Sequence, residues 1–164
     1  MNGRQRILAA LRGEPADAVP VMLHNFLMAA RENGVPMVRF RRDGKAIAAS
    51  FIRAVETYGY DGIVVDIDTA MLAGAIGGPV DFPDDQPARS KAPLLPTLEA
   101  VDDLPPVYIG RYFEIEAAVE AVVRLKEYFG SSPIAPGRRG SSSRLWPRRG
   151  PISFPTATAP PVRT

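Results

Sequence analysis

Apolar residues alternate between helical and strand-like patterns over the first 130 positions of the chain. Helical spacing of apolar residues predicts a short leading helix over residues 4–12, and an apolar run of strand length follows at residues 19–24. A second short helix is predicted for residues 26–32, where Asn33 and Gly34 form a common helix stop. Helices and a strand therefore alternate from the beginning of the chain.

A longer helix and a second strand come next in the pattern. Asp43 is predicted to cap this helix and Gly59 to end it. Residues 61–68 follow directly and have a continuous β-branched centre, as expected of a strand that is covered on both faces in a parallel sheet. The order of strand, helix and strand predicts a β-α-β unit and the α/β fold class. The apolar stripe of the helix consists of Ile47, Phe51, Ala54, Val55 and Tyr58.

The region after the second strand contains a proline-rich loop that runs to Pro106. Loops of this length are usually functional or carry minor structure. Residues 111–129 then show the strongest amphipathic signal in the chain, and Gly130 is predicted to end this last helix. The residues predicted to form its apolar face are Ile115, Ala118, Val119, Val122, Leu125 and Phe129.

The pattern of a folded chain stops after residue 130. A third strand begins at residues 132–135 but is not completed, and no apolar period follows it. A segment rich in Arg, Gly, Pro and Ser cannot bury enough surface to offset the entropy of ordering. We therefore predict a folded domain over residues 1–130 and a disordered tail over residues 131–164. The tail is interpreted either as a basic arm that binds phosphate backbones or as out-of-frame sequence, and its abrupt onset favours the second interpretation.

Charge is unevenly distributed along the chain. The net charge of the whole chain is +2, but residues 131–164 hold six arginines and no acidic residue. The first 130 residues therefore hold 14 basic and 18 acidic side chains, so this part of the chain is mildly acidic. A nucleic-acid partner is not favoured by this distribution. A small regulatory or nucleic-acid-binding protein that uses the basic tail stays open as the alternative function.

Composition excludes several kinds of site. The chain contains no cysteine, which excludes disulfides and thiolate nucleophiles and fits a cytoplasmic location. No stretch approaches the roughly 20 apolar residues of a membrane-spanning helix, so no membrane partner is expected. His24 is the single histidine, and it has no obvious set of partners for a metal site. A flavodoxin-like enzyme is excluded because no glycine-bearing loop follows the first predicted strand.

Several segments, taken in their order and spacing, resemble the uroporphyrinogen decarboxylase superfamily, which includes uroporphyrinogen decarboxylase and the related corrinoid-protein methyltransferases. The resemblance covers about residues 3–130. It implies the N-terminal portion of a TIM (β/α)8 barrel, whose active site lies at the C-terminal ends of the strands. Such a barrel takes about 250 residues, so the chain is expected to be a truncated and inactive part of one. The segments that carry the resemblance are residues 4–13 (RQRILAALRG), 19–21 (VPV), 58–62 (YGYDG), 66–68 (DID) and Gly77 before 80–83 (VDFP).

An incomplete barrel is also expected to behave poorly in solution. Two or three strands cannot close the sheet, and an open edge would remain. The apolar helix faces at Phe51 and Val119 are expected to stay partly exposed. We therefore predict a poorly soluble or molten product.

The resemblance makes Asp68 the predicted catalytic residue. In family members that decarboxylate, an aspartate at the matching place, nine residues before the glycine corresponding to Gly77, hydrogen-bonds the pyrrole N–H groups and stabilises the cation formed on protonation. The alternative is that Asp68 caps the following helix through the amides after Thr69. Asp66 lies two residues earlier, so both side chains are expected on one strand face. It is either a second polar contact with the substrate or a carboxylate with a structural partner.

His24, Asn25 and Asp66 are the predicted substrate-binding residues. Uroporphyrinogen decarboxylases follow the first strand with arginines that bind the carboxylates of the substrate. Here Asn25 and Ala29 fall at the matching places, and Arg31 is displaced from them. This departure favours the corrinoid methyltransferase-like branch over a decarboxylase of uroporphyrinogen. The resemblance then implies a tetrapyrrole or a corrinoid protein as the partner of the complete parent enzyme. Zinc and a corrinoid are possible for that enzyme, with no cofactor in this chain.

Overall fold

The computed structural model describes residues 1–104 and 106–131, with the backbone alone for Ser131. The incomplete third strand predicted at residues 132–135 lies outside the described residues. The same holds for the predicted disordered tail beyond Ser131.

Two short strands form the parallel pair that the sequence predicts. β1 (Met22–Leu23) and β2 (Gly62–Ile63) lie side by side, and three helices connect them, which confirms the β-α-β unit. Both strands are shorter than the predicted residues 19–24 and 61–68, because ladder hydrogen bonds form only where two backbones run together. The described residues contain no closed barrel, so the barrel remains a prediction beyond this one unit.

The leading helix, α1 (Gly3–Leu11), begins at a reciprocal cap. The Asn2 side chain accepts the backbone amide of Gln5, and the Gln5 side chain accepts the backbone amide of Asn2, both at 2.9 Å. Each bond satisfies an amide that the first turn of a helix leaves free. The predicted helix over residues 4–12 is confirmed to within one residue.

Arg6 fastens α1 to the rest of the molecule. Its Nη1 donates to Asp61 Oδ1 at 2.8 Å, directly before β2. Its Nε and Nη2 donate to the two carboxylate oxygens of Asp17, at 2.6 and 2.9 Å. These hydrogen bonds hold the pKa of Asp17 well below its usual range. One guanidinium thus joins the leading helix, the turn after it and the start of the second strand.

Three helices connect β1 to β2: α2 (Phe26–Glu32), α3 (Met37–Phe40) and α4 (Gly44–Tyr58). The bounds of α2 are those predicted, whereas α3 was not predicted. Asp43 caps α4, because its Oδ1 accepts the amides of the second and third helical residues at 2.9 and 3.0 Å. Gly59 ends α4 in the left-handed conformation, with φ of 66°. Both predicted boundaries of the longest connecting helix are confirmed.

The core lies on both sides of α4, between α2 and the last helix, α6 (Phe113–Ser131). Phe51 of α4 is completely buried, and its ring meets that of Phe40 edge to face at 6.1 Å. The expectation that Phe51 stays partly exposed is therefore wrong, because α6 and α3 cover this face of α4. The largest fully buried apolar side chains are Phe40, Ile47, Phe51 and Ile67.

The predicted loop between the second strand and the last helix carries minor structure, as expected. A short helix, α5 (Met71–Ala75), comes first. β3 (Val80–Asp81) and β4 (Arg89–Ser90) then form an antiparallel pair. Two 3-10 turns, Glu99–Asp103 and Ile109–Arg111, lead to α6. The segment is thus built from small elements that fold back on the end of β2.

The buried side of α6 agrees with its predicted apolar face only in part, because Leu125 lies in the core and Ala118 and Phe129 pack against it. Val119 is 60 % exposed, which confirms the expected exposure at this residue, and Val122 is exposed as well. The helix also continues through Gly130, so this glycine does not end it. Small residues face α4 because the two helices approach closely there. The buried residues of α6 are Glu114, Ala117, Ala121 and Leu125.

Gly44 marks this close approach of α4 to α6. A Cβ at position 44 would lie 2.6 Å from Glu120 Cβ and 2.9 Å from the backbone oxygen of Ala117. We expect Gly44→Ala to lower the free energy of unfolding by about 1–3 kcal/mol, because the helices must separate to admit the methyl group. Urea denaturation followed by circular dichroism measures this loss. Gly130→Ala is the control, since a Cβ there meets nothing within 4 Å. Equal losses in both variants would contradict the close approach.

Candidate functional site

His24 and Asp66 meet at one edge of the parallel pair. His24 directly follows β1, and Asp66 follows the end of β2 by three residues. His24 Nε2 lies 2.7 Å from Asp66 Oδ2, with the two side chains 50 % and 27 % exposed. The ring of Phe26 packs beside the imidazole at a centroid distance of 5.4 Å. The carboxyl ends of parallel strands share one edge, and barrel enzymes place their active sites at that edge.

The contact with Asp66 determines which ring nitrogen of His24 is favoured to carry the proton. A carboxylate beside Nε2 favours the form in which this nitrogen carries the proton and donates it to Asp66. In that form Nδ1 is the basic nitrogen, which can accept a proton or a hydrogen bond from a ligand. The structure therefore brings two of the predicted binding residues together as an imidazole–carboxylate pair that is open to solvent.

Asn25, the third predicted binding residue, has its side chain in the interior. Its amide nitrogen and oxygen are buried and have no hydrogen-bond partner among the described residues. Burial raises the pKa of the Tyr60 hydroxyl group, and the Asn25 side chain partly lowers it again. Asn25 is therefore an interior polar residue in this structure, and its role in substrate binding stays a prediction.

Asp68, the predicted catalytic residue, is buried and paired with Arg41. Asp68 Oδ2 accepts Arg41 Nε at 2.5 Å, and Oδ1 accepts the backbone amides of Thr69 and Ala88. Asp68 and Arg41 are each only 2 % exposed. Arg41 also donates to two backbone oxygens within residues 83–86, at 2.8 and 2.9 Å. This ion pair ties the segment after β2 to the loop between β3 and β4.

Two expectations about the aspartates are wrong. Asp68 does not cap α5, because that helix has no side-chain cap hydrogen bond. The strand alternation expected for Asp66 and Asp68 is not formed either, because β2 ends at Ile63. Asp66 consequently faces His24 near solvent, whereas Asp68 is enclosed. The catalytic role of Asp68 stays a prediction.

Glu114, in the first turn of α6, is a buried carboxyl group near Asp68. Its side chain is completely buried, and neither carboxyl oxygen has a hydrogen-bond partner in the described part of the chain. Burial, together with the charge of Asp68, raises the pKa of Glu114 to about 7, against the opposing charges of Arg41 and Arg42. A carboxyl group with this pKa changes its charge near neutral pH.

Sequence reasoning missed both Arg41 and Glu114. Arg41 lies between α3 and the cap of α4, where a charged residue has the pattern of an ordinary surface position. Glu114 does carry a signal, because it repeats at helical spacing with Ala117, Ala121 and Leu125. An acidic residue on a stripe of small apolar residues indicates a buried carboxyl group when that stripe packs against another helix.

An open cavity of about 360 Å³ lies between the end of α5 and the segment before α6. Gly77, Tyr108 and Arg111 are among its lining residues, and none of the predicted site residues lines it. No group of three or more His, Asp or Glu side chains within residues 1–104 and 106–131 is arranged to hold a metal ion. None of the helices described has the length and apolarity needed to cross a bilayer.

Comparison with known proteins identifies the family of this chain. The family model described as Uroporphyrinogen decarboxylase (URO-D) matches residues 2–137, which include the whole candidate site. Comparisons with curated proteins and with solved structures found no match. The superfamily resemblance is confirmed, whereas this match does not distinguish the methyltransferase-like branch. No finding supports the alternative of a nucleic-acid-binding protein, whose basic segment lies outside the described residues. The chain belongs to the uroporphyrinogen decarboxylase family.

Proposed function

We propose that this chain contributes the first part of the active site of a corrinoid-dependent methyltransferase of the uroporphyrinogen decarboxylase family. The observation that carries the proposal is the His24–Asp66 pair, which is open to solvent at the carboxyl edge of the parallel strands. Barrel enzymes bind and transform their ligands at this edge. The alternative within the family is decarboxylation of a tetrapyrrole, from uroporphyrinogen to coproporphyrinogen.

The preference for methyl transfer rests on the scarcity of cations for a substrate with many carboxylates. Such a substrate needs arginine or lysine partners, and Asn25 and Ala29 stand where the resemblance places arginines. The displaced Arg31 is exposed in the last turn of α2. The two buried arginines of the described residues, Arg6 and Arg41, are already paired with aspartates. These features support a ligand that carries fewer carboxylates than uroporphyrinogen.

Asp68 has a conditional role in the proposal. A carboxylate can accept several donors and oppose a developing positive charge. Asp68 is buried, however, and bound to Arg41 and to two backbone amides. His24 and Asp66 are therefore proposed as the first contacts with the ligand. Asp68 contacts the ligand once its bond to Arg41 or to the Ala88 amide has opened.

The described residues do not fit a zinc site. A catalytic zinc ion is held by three protein ligands, whereas His24 and Asp66 supply two and the chain has no cysteine. We therefore assign zinc and the corrinoid to the complete parent enzyme. No step proposed for this chain depends on zinc.

The proposal also covers how much of the barrel the described residues supply and the compartment in which the protein acts. A (β/α)8 barrel has eight parallel strands, and the described residues supply two. We infer that the described residues supply only the first part of such a barrel and that they do not turn over a substrate alone. The absence of cysteine fits a reducing compartment, and we propose a cytoplasmic location.

Ligand titration tests the proposed class of ligand. Hydroxocobalamin and uroporphyrin are added separately to the full chain, and binding is followed by visible absorbance. We expect hydroxocobalamin to bind more tightly than uroporphyrin. We expect His24→Ala to weaken that binding about tenfold, equivalent to about 1.4 kcal/mol, because one contact is lost. High salt in both titrations screens the arginines of the tail from the carboxylates of uroporphyrin.

Arg89→Ala is the control for this titration, because it removes an exposed charge on β4 and leaves His24 and Asp66 intact. It should leave both affinities unchanged. Tighter binding of uroporphyrin, weakened by His24→Ala, would support the decarboxylase alternative instead. Equal affinities of the wild type and His24→Ala for both ligands would overturn the role of the pair.

A further inference from the structure

Five charged or titratable side chains interact electrostatically around the buried Arg41–Asp68 pair. This charge cluster consists of Arg41, Arg42, Asp66, Asp68 and Glu114, and the charges of the other four all act on Glu114. Arg41 is paired with Asp68. The guanidinium of Arg42 lies 4.1 Å from the centroid of the aromatic ring that precedes Glu114. Residues from three parts of the chain therefore share one electrostatic environment.

The charge balance of the cluster depends on Glu114. Two guanidinium groups and the two aspartates cancel, so the cluster is neutral while Glu114 is protonated. Ionisation of Glu114 leaves one uncompensated negative charge. A buried carboxylate without hydrogen-bond donors is costly, and neither oxygen of Glu114 has a donor among the described residues. The protonated form is therefore the one that matches the observed packing.

We propose that Glu114 is a positioning residue for Asp68: its carboxyl group is protonated while Arg41 is paired with Asp68, and its ionisation draws Arg41 away. The inference rests on the proposed role of Asp68 and deepens it. Asp68 is enclosed in the observed arrangement, and competition from an ionised Glu114 for Arg41 supplies a way to free its carboxylate. The proton of Glu114 leaves to solvent in this step.

The other groups that face Glu114 fix the direction of its titration. Burial is the largest cause of the raised pKa of Glu114. The charges of Asp68 and Asp66 raise this pKa further, and those of Arg41 and Arg42 lower it. Tyr112 is a further titratable group beside Glu114, and its own pKa is raised by burial and by the charge of Glu114. Removal of Asp68 should therefore lower the pKa of Glu114, and removal of Arg41 should raise it.

Carbon-13 NMR of the side-chain carboxyl groups, recorded from pH 4 to 9, tests this inference on the full chain without any ligand. We expect the Glu114 signal to titrate with a midpoint near pH 7. The Asp68 signal should shift at the same midpoint, because its pairing with Arg41 changes. Asp68→Asn should move the Glu114 midpoint down, and Arg41→Met should move it up. A residue that only fills space would produce none of these coupled shifts.

Glu114→Gln should abolish the step in the Asp68 signal, whereas Glu116→Gln, which changes an exposed residue of α6, should leave it in place. Since the pKa of Glu114 is raised from 4.5, the stability that its protonated form provides is complete below pH 4.5 and is lost as pH rises through 7. Thermal melts should therefore give Glu114→Gln a higher Tm than the wild type at pH 8.5. The Tm values of the two proteins should differ little at pH 4.5.

A Glu114 midpoint below pH 5, or an Asp68 signal that does not respond to the Glu114 step, would overturn the inference. Both outcomes are independent of the titration with hydroxocobalamin. A failed titration beside coupled carboxyl shifts would contradict the proposed ligand alone. Ligand binding that depends on His24, without coupled shifts, would contradict the role of Glu114 alone.

Discussion

Arg41→Met is expected to lower the free energy of unfolding by about 3–5 kcal/mol, because it leaves Asp68 buried without its counter-charge. The variant also removes the donors that hold two backbone oxygens of residues 83–86. The loss should therefore extend to the loop between β3 and β4. Urea denaturation at pH 7, followed by circular dichroism, measures the change.

Arg124→Met is the matched control, because Arg124 forms an exposed pair with Glu120 one helical turn away. Its expected cost is about 0.5 kcal/mol or less. The double variant Arg41→Met/Asp68→Leu should recover much of the loss, since it removes both buried charges. Equal costs for Arg41→Met and Arg124→Met would contradict a buried ion pair. A wild type without a cooperative transition would instead support the sequence-based expectation of a molten product.

Phe51→Ala is expected to lower the free energy of unfolding by about 3–5 kcal/mol, because it removes a fully buried ring and leaves a cavity. Phe51 is in contact with Phe40 edge to face, and α6 covers the same side of α4. The same urea denaturation measures the loss.

Leu72→Ala provides the comparison for Phe51→Ala, because Leu72 is an apolar residue that is 61 % exposed on α5. Its expected effect is within about 0.5 kcal/mol of zero. A similar small effect for Phe51→Ala would show that the face of α4 is open. That result would support the exposure predicted from the sequence over the burial seen in the structure.

The parts of the fold that could be predicted have local causes. Asp43 and Gly59 fix the two ends of α4 through a side-chain cap and a positive φ angle, which depend on neighbouring residues only. The lengths of β1 and β2 could not be predicted, because a strand continues only as far as its partner runs beside it. The buried side of α6 depended likewise on a distant glycine, Gly44, which admits small residues and leaves Val119 outside.

The candidate site likewise contains some residues that could be predicted from the sequence and others that could not. His24 and Asp66 could be placed from the sequence, because His24 ends the first predicted strand and Asp66 lies in the last part of the second, near the edge where parallel strands end. Arg41 and Glu114 could not, because their importance comes from burial beside Asp68, which is 27 residues from Arg41 in the chain. The charge of a side chain is visible in a sequence. The solvent that surrounds it is not.

Arg6 has a consequence for the order in which this chain folds during synthesis. Its hydrogen bond to Asp61 joins residues that are 55 positions apart. At about 5–20 residues per second, the ribosome adds Asp61 about 3–11 s after Arg6. Through that interval α1 has its own cap, but the acceptor that fastens it to β2 has not been made. α1 is thus completed as part of the fold only when the start of β2 has been synthesised.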